Sequence, residues 1–203
     1  MSPFRAALLS LVLLSGCGAL GAVSDASAPL DAYTLTPYTP GVIPSLGRRH
    51  LVVELPTSGG ALATDRILIK PVPFQAQYLP DGRWSEPTPA LLQSLLVASF
   101  QNAGGFRLVG RTGAGLMPDY TLMTEIQSFQ AEPAGPASEP LVIRIALMMT
   151  IIRESDRQII AARPFTTSAN VASDDTAAVV AGFDSALQTV LREAVQWTNG
   201  QTP

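Results

Sequence analysis

The chain has 203 residues, which is enough for one domain with a substantial core, and 47% of them are apolar. It carries 13 basic and 16 acidic residues, giving a net charge of −3 with its one histidine neutral. This mild acidity argues against nucleic-acid binding, which needs clustered basic residues. Because there is one cysteine, no disulfide can form within the chain, and packing alone must hold the fold.

The first 17 residues have the pattern of a processed leader. Arg5 precedes the apolar run 6–14, and residues 14–17 read LSGC. A basic start, a short apolar middle and small residues before a cleavage point are typical of a signal peptide. The tetrapeptide resembles the bacterial lipobox, in which the cysteine thiol receives a diacylglycerol, the chain is cut before it, and the new amino group is acylated. We therefore predict a signal peptide over 1–16 and lipid attachment at Cys17.

Two other interpretations of this segment fit less well. A membrane-spanning helix needs about 20 apolar residues, roughly twice the length of this run. A buried structural cysteine would not be expected between a signal-like segment and the small residues 18–22. Cleavage before Cys17 would remove Arg5 and no acid, so the mature chain would be slightly more acidic.

Residues 17–30 are small and polar, which predicts a lipidated flexible tether ahead of a single domain over 31–203. About 13 such residues span on the order of 20 Å. Two or more acyl chains hold a protein stably on its membrane. Gly18 occupies the position where an aspartate retains many Gram-negative lipoproteins at the inner membrane. We therefore expect an outer-membrane protein, anchored in the inner leaflet and facing the periplasm.

The first half of the domain alternates β-rich runs with turn residues. The sequence predicts strands over 31–35, 51–55 and 65–70, with an extended proline-containing loop over 36–45. Residues 57–60 predict a turn. Pro80-Asp81-Gly82 predicts a hairpin turn between short strands at 75–78 and 83–84.

The first helix has a clear periodic signal. Apolar residues recur at helical spacing after Pro87 and Pro89, at Leu91, Leu92, Leu95, Leu96 and Phe100. Thr88 or Ser85 could cap the start, and Gly104-Gly105 should end the helix. A strand over 106–109 and a loop over 110–118 follow.

Three strands and a helix complete the chain. Alternating residues from Tyr120 to Ser128 and from Leu141 to Ile151 predict two strands, and 158–171 should return as a third after a turn at 154–157. Asp174-Asp175-Thr176 opens a terminal helix that Asn199-Gly200 should end. Its predicted apolar stripe is Val180, Phe183, Leu187, Val190, Leu191, Ala194 and Trp197.

The second face of the strand over 141–153 is also largely apolar, with Val142, Ala146, Met148 and Ile152. A sheet covered on both sides would explain this, and so would an apolar surface kept for a partner or a lipid chain. We favour the covered sheet. The element order predicts an α/β domain, with two main helices packed on a mixed, largely antiparallel sheet.

Residues suited to catalysis or metal binding are sparse. His50, beside Arg48 and Arg49, is expected to be a solvated loop histidine, because no second histidine or free cysteine could work with it. No histidine pair or cysteine set has metal-ligand spacing. The glycines from Gly110 to Gly115 follow a strand but lack a following lysine and helix, so a phosphate loop is not expected. We predict no catalytic residue, cofactor or metal.

The order and spacing of short motifs resemble those of the ABC-type transport auxiliary lipoprotein family. The resemblance covers nearly all of the mature chain. The motifs are Tyr33-x-Leu35, Leu51-Val52-Val53, Asp65-Arg66-Ile67, Gln77-Tyr78, Trp84-Ser85-Glu86-Pro87, Leu91-Leu92-Gln93-x-Leu95, Phe106-x-x-Val109 and Asp119-Tyr120-x-Leu122.

The resemblance implies a fold similar to the amino-terminal domain of TolB and a non-catalytic role in the envelope. It implies a component of transport systems built around mammalian-cell-entry (MCE) domains, including the paraquat-inducible type, which move lipids or hydrophobic substrates between membranes. The implied partners are an MCE-domain protein, the permease and ATPase of the transporter, and further copies of this chain. A lipid-anchored assembly factor or chaperone for another envelope complex, and a periplasmic hydrolase, are the alternatives.

Overall fold

The computed structural model describes residues 29–41, 47–115, 117–135 and 140–202. The fold is that of the unit Asp31–Pro203, one of the two units into which the chain divides. The predicted signal peptide 1–16, the predicted lipid-attachment residue Cys17 and the predicted tether up to residue 28 lie outside the described residues.

The described part of the second unit is built from nine β-strands and two α-helices. The strands are β1 (Asp31–Tyr33), β2 (His50–Val53), β3 (Thr57–Ser58), β4 (Arg66–Ile69), β5 (Gln77–Trp84), β6 (Leu108–Arg111), β7 (Tyr120–Pro133), β8 (Leu141–Arg153) and β9 (Gln158–Asn170). The helices are α1 (Thr88–Ala103) and α2 (Thr176–Gln201).

The long strand β7 organises the sheet. Along one edge it pairs in parallel with three short strands in succession, β2 near its start, β3 near its middle and β4 near its end. β6 extends the sheet beyond β2, and β5 and then β1 extend it beyond β4. Along its other edge, β7 pairs antiparallel with β8, which pairs antiparallel with β9.

The two ends of the sheet differ in what they present. We call one end the loop end. It contains the loop 70–76 between β4 and β5, the last residue of β7 and the first residue of β8. At the other end lie the turn 154–157 between β8 and β9 and the start of β7, and we call this the turn end.

Both helices pack on the same face of the sheet. α1 lies on β2 and β6, α2 lies on β8, β9 and β5, and the two helices contact each other. The alternating residues of β8 that face the helices, from Ile143 to Ile151, are all buried. Gly182 brings the α2 backbone close to β8, since a Cβ there would lie 3.0 Å from Cγ1 of Ile143.

An aromatic cluster joins the β5 side of the sheet to α2. The ring of Phe183 stacks on Phe129 at 4.9 Å and meets Trp84 edge-on at 5.2 Å. Trp84 and Phe129 are 6.0 Å apart, and all three side chains are almost completely buried. Edge-on and offset aromatic pairs at these distances add to the stabilisation that burial alone provides.

The helix ends show which capping predictions hold. α1 begins at Thr88 after Pro87, without a side-chain capping bond from Thr88 or Ser85. Pro89 lies in the first turn, where its missing N–H is not needed. Gly104 and Gly105 follow α1 with φ of 69° and 92°, so the predicted glycine stop is confirmed.

α2 differs from its prediction in two respects. It continues through Asn199 and Gly200 to Gln201. Near the start of α2 the sequence predicts Val180 as the buried residue, but the structure buries Val179 completely and Val180 only partly. The rest of the predicted stripe, from Phe183 to Ala194, is buried as expected, with Trp197 half-buried against the core.

The predicted hairpin turn at Pro80-Asp81-Gly82 is wrong, because β5 runs continuously through it. Between the Arg66–Arg83 and Leu68–Tyr78 pairs, β5 advances five positions while β4 advances two. The extra residues form a bulge, which proline and glycine tolerate well because neither needs regular ladder pairing. Likewise, Thr57 and Ser58 form β3 and not a turn.

The predicted fold class is confirmed. The described residues form an α/β unit with two helices on one face of a mixed sheet, and its longest pairings, β7–β8 and β8–β9, are antiparallel. The hairpin of β8 and β9 and the burial of all five predicted apolar positions of α1 are also as predicted.

Candidate functional site

His50 serves to join strands in the structure. It is the first residue of β2, where its backbone N–H donates a hydrogen bond of 2.7 Å to Oδ2 of Asp119. Its Nδ1 lies 3.4 Å from the carbonyl oxygen of Met117. The histidine is half-buried and paired with Leu108 in the sheet, so the prediction of a solvated loop histidine is wrong.

The charged residues at the turn end form pairs with one another. Arg49 lies 3.6 Å from Asp119, Arg153 donates to Asp156 at 2.6 Å, and Arg157 donates to Glu154 at 2.7 Å. Four of them, Arg49, Asp119, Arg153 and Glu154, border a shallow open groove of about 410 Å³. Within the described residues, this groove holds ion pairs and does not hold a nucleophile beside a base.

Hydrogen bonds favour the ionised forms of Glu154 and Asp156. The Thr121 hydroxyl donates to Oε1 of Glu154 at 2.5 Å and, with Arg157, lowers the pKa of Glu154 although partial burial opposes the shift. The Arg153 guanidinium likewise lowers the pKa of Asp156. Lowered pKa values keep both groups ionised at neutral pH, which suits structural ion pairs and does not suit a general acid.

Asp175, the second residue of the acidic pair before α2, caps the helix. Oδ1 of Asp175 accepts a hydrogen bond from the backbone N–H of Ala178 at 2.9 Å. The Ser173 hydroxyl and this N–H lower the pKa of Asp175. Among the described residues, no group of three or more histidine, cysteine, aspartate or glutamate side chains could hold a metal ion.

The glycine-containing loop after β6 connects two strands. β6 ends at Arg111, and the chain passes through Gly113 and Gly115, with φ of 86° and 73°, before β7 begins. Arg111 donates a 2.8 Å hydrogen bond to the hydroxyl of Ser94 on α1. The next described element is the strand β7 and not a helix, as the sequence predicted, whereas a phosphate loop leads into a helix N-terminus.

The second face of strands β7, β8 and β9 carries neither helix, and of the apolar residues that β8 places there Val142 is buried whereas Ala146, Met148 and Ile152 are half-buried. Met148 lies between Glu125 of β7 and Pro164 of β9, and it is only half-buried. Met123, on the same face, is 40% exposed. The predicted covered sheet is therefore wrong for the described residues, since both helices lie on the opposite face.

A second apolar surface, which the sequence analysis did not identify, lies at the loop end. In the loop 70–76, Val72 is 51% exposed and Phe74 is fully exposed. An open groove of about 570 Å³ separates residues 70–73 from Glu132, Pro133 and Gly135. A sequence signal for this surface is present in Pro71-Val72-Pro73-Phe74, where an apolar residue lies between two prolines and an aromatic residue follows.

No helix in the described ranges combines the length and the apolarity that crossing a membrane requires.

Comparison with known proteins gives one family and several similar structures. The family model described as "ABC-type transport auxiliary lipoprotein component" matches residues 33–195. The uncharacterized protein bll6063 of Bradyrhizobium diazoefficiens is 29% identical over 148 residues, or 73% of this chain. The chain spans only 39% of the length of that relative.

Two solved structures show the same arrangement. Protein XCC0632 from Xanthomonas campestris has a TM-score of 0.75 and 29% identity, covering 86% of this chain and 97% of that one. The hypothetical protein CT253 from Chlamydia trachomatis has a TM-score of 0.52 and 10% identity, covering 76% and 98%, and shows a likeness of fold alone.

Proposed function

This chain belongs to the family of ABC-type transport auxiliary lipoprotein components, and we propose that it is the non-catalytic, membrane-anchored periplasmic member of an MCE-associated transport system. Such a system moves lipids or other hydrophobic substrates between membranes. The family match carries the auxiliary-lipoprotein part of this proposal, because it runs from Tyr33 at the end of β1 to Val195 within α2. The link to an MCE system rests on what the family resemblance implies. The proposed partners are an MCE-domain protein and the transporter's permease and ATPase.

The non-catalytic role is supported by how the polar candidates are used. The histidine at the start of β2 and the carboxylates of the turn end make strand contacts and ion pairs, and Asp175 caps a helix. Groups held in such pairs serve the fold, and breaking them to reach a substrate would cost stability.

The proposed anchor is Cys17, with a diacylglyceryl group in thioether linkage to its thiol and a fatty acid such as palmitate in amide linkage to its amino group. Cys17→Ser should give a precursor that keeps residues 1–16 and takes up no labelled fatty acid, because a serine hydroxyl cannot form the thioether. Normal cleavage and labelling of this variant would overturn the assignment.

The proposed location is the inner leaflet of the outer membrane, which rests on Gly18. Density-gradient fractionation should place the wild-type protein with the outer membrane, and Gly18→Asp should move it to the inner membrane. Wild-type protein in the inner-membrane fraction would contradict this location.

The proposed role also includes homo-oligomers, in keeping with the exposed sheet edges. Among the described strands, β9 has a single neighbour, so its outer edge is open to another chain. Native mass spectrometry of the detergent-solubilised protein would show the oligomer, and a monomer at all concentrations would contradict it.

Genetics tests the transport role directly. If the lipoprotein works only through its transporter, deleting its gene should give the same sensitivity to hydrophobic compounds as deleting the ATPase gene. The double deletion should then be no worse than either single deletion. Additive defects would favour a separate role, such as an assembly factor for another envelope complex.

A further inference from the structure

The loop 70–76 exposes more apolar surface than folding explains. Phe74 is fully exposed, its backbone is in the left-handed region with φ of 68°, and Val72 is 51% exposed. Residues with a bulky side chain rarely adopt this conformation, which glycine adopts easily. Pro71 and Pro73 each fix one backbone dihedral, on either side of Val72. The conformation of the loop is therefore restricted although the side chains at its tip do not contact the core.

The direction of β1 relates this loop to the start of the domain. β1 runs parallel to β5, with Asp31 opposite Gly82 and Tyr33 opposite Trp84. β5 itself begins directly after the loop, at Gln77. Because the two strands are parallel, the N-terminal end of β1 points in the same direction as the start of β5, which is toward the loop end. The segment that connects Cys17 to the domain therefore joins β1 at the end of that strand nearer to the loop.

The distances along these segments are of the same order. From Gly82 back to Phe74 in the loop is at most ~27 Å, at the usual rise of an extended strand. A segment with the composition of residues 17–30 spans on the order of 20 Å. An acyl chain on Cys17 and the tip of the loop can therefore reach the same bilayer surface together.

We propose that the loop 70–76 is a membrane-contacting element, which inserts Val72 and Phe74 into the surface of the bilayer that holds the acyl chains of Cys17. This inference rests on the proposed anchoring function. The tether supplies a high local concentration of lipid, in the millimolar range for short flexible linkers, so two apolar side chains are sufficient to bias the orientation of the domain.

Charge indicates which lipids the loop prefers. Lys70 and Glu132 border the groove beside the loop. Glu132 pairs with Arg144, which leaves Lys70 as the one unpaired charge among the described residues that line the groove. A single lysine is not the cluster of basic residues that favours anionic lipid, so contact depends on the apolar side chains and should occur on vesicles of neutral lipid.

The test uses the full acylated protein, reconstituted in phosphatidylethanolamine–phosphatidylcholine vesicles that contain brominated lipid as a quencher. An environment-sensitive fluorophore is attached to Gln75→Cys, beside the loop tip, where it is the only free thiol once Cys17 is acylated. The control is the same fluorophore on Ile159→Cys, an exposed apolar position just after the turn end. Intact mass first confirms acylation, so failure of the anchor is recognised separately.

We expect the label at position 75 to be quenched with a blue-shifted emission, and the label at position 159 to remain unquenched. Adding Phe74→Ser to Gln75→Cys should remove the quenching without changing the unfolding midpoint, because Phe74 is fully exposed. An unquenched label at position 75, or quenching that Phe74→Ser leaves unchanged, would overturn the proposal. A blue shift that appears only when an MCE-domain protein is added would overturn it in favour of a protein contact.

Discussion

Phe183 tests the packing of α2 on the sheet more sharply than any other single residue. Its side chain is completely buried, stacked on Phe129 at 4.9 Å and edge-on to Trp84 at 5.2 Å. Phe183→Ala removes the ring and leaves a cavity between α2 and the sheet.

The expected loss of stability is large. A buried Phe→Ala change costs about 3–5 kcal/mol, including the cavity that remains. This is a large share of the ~5–15 kcal/mol that stabilises a typical domain. At about 2–4 °C per kcal/mol for a domain of this size, the melting temperature should fall by roughly 6–20 °C.

The assay is thermal unfolding of the mature protein in detergent, followed by circular dichroism. The matched control is Phe74→Ala, the same substitution at a fully exposed position, which should leave the melting temperature unchanged. A double-mutant cycle of Phe183→Ala with Phe129→Ala should show coupling of about 0.5–1.5 kcal/mol. Equal effects of Phe183→Ala and Phe74→Ala would refute the arrangement of α2 described above.

Three further substitutions test other contacts. Leu95→Ala, at a buried position of α1, should cost about 2–5 kcal/mol in denaturant titrations. Gln101→Ala removes one hydrogen bond of 3.1 Å to the carbonyl oxygen of Val109 and should cost only about 1 kcal/mol. Asp175→Ala should lower the melting temperature by removing the cap of α2, and the neighbouring Asp174→Ala should be neutral, so equal losses would contradict the capping contact. Because the folded-state pKa of Glu154 is lowered, its ionisation stabilises the fold above its ordinary pKa, and that contribution is lost as the pH falls through the lowered value. Glu154→Gln should therefore unfold with a weaker dependence on pH than the wild type as the pH falls below the ordinary pKa of a glutamate, and identical profiles would contradict the role of the Thr121 and Arg157 contacts.

Regular alternation made the β8–β9 hairpin predictable from sequence. Every second residue from Ile143 to Ile151 is apolar, and all of them face the helices. In the same way, the periodic leucines of α1 and its glycine stop fixed the extent of that helix, because each position follows from local chemistry.

Two bulges explain why the predictions for strands β5 and β7 fail. In β7 the core-facing residues are at even positions up to Ile126, but Phe129 and Ala131 continue the same face at odd positions. The register shifts between Ile126 and Ser128, and this extra residue hides the continuation of the strand to Pro133. In β5 the bulge around Pro80 and Gly82 has the composition of a turn, so the local sequence favours the wrong structure.

The apolar surfaces were harder to predict because they depend on what lies above them. The sequence of β8 is apolar on both faces, but only the arrangement of α1 and α2 determines which face is covered. Phe74 similarly could have been a core residue, and only the course of the loop 70–76 exposes it. The site residue Cys17 remains a prediction from sequence.

Co-purification from native membranes tests the central claim most directly. The wild-type lipoprotein and Cys17→Ser, both carrying a C-terminal affinity tag, are extracted in mild detergent, and the captured proteins and lipids are identified by mass spectrometry. We predict that the wild-type protein captures an MCE-domain protein together with the permease and ATPase of its transporter, and that Cys17→Ser captures much less of all three. Capture of a different envelope complex, or of none of these proteins by the correctly acylated wild type, would contradict the proposed role.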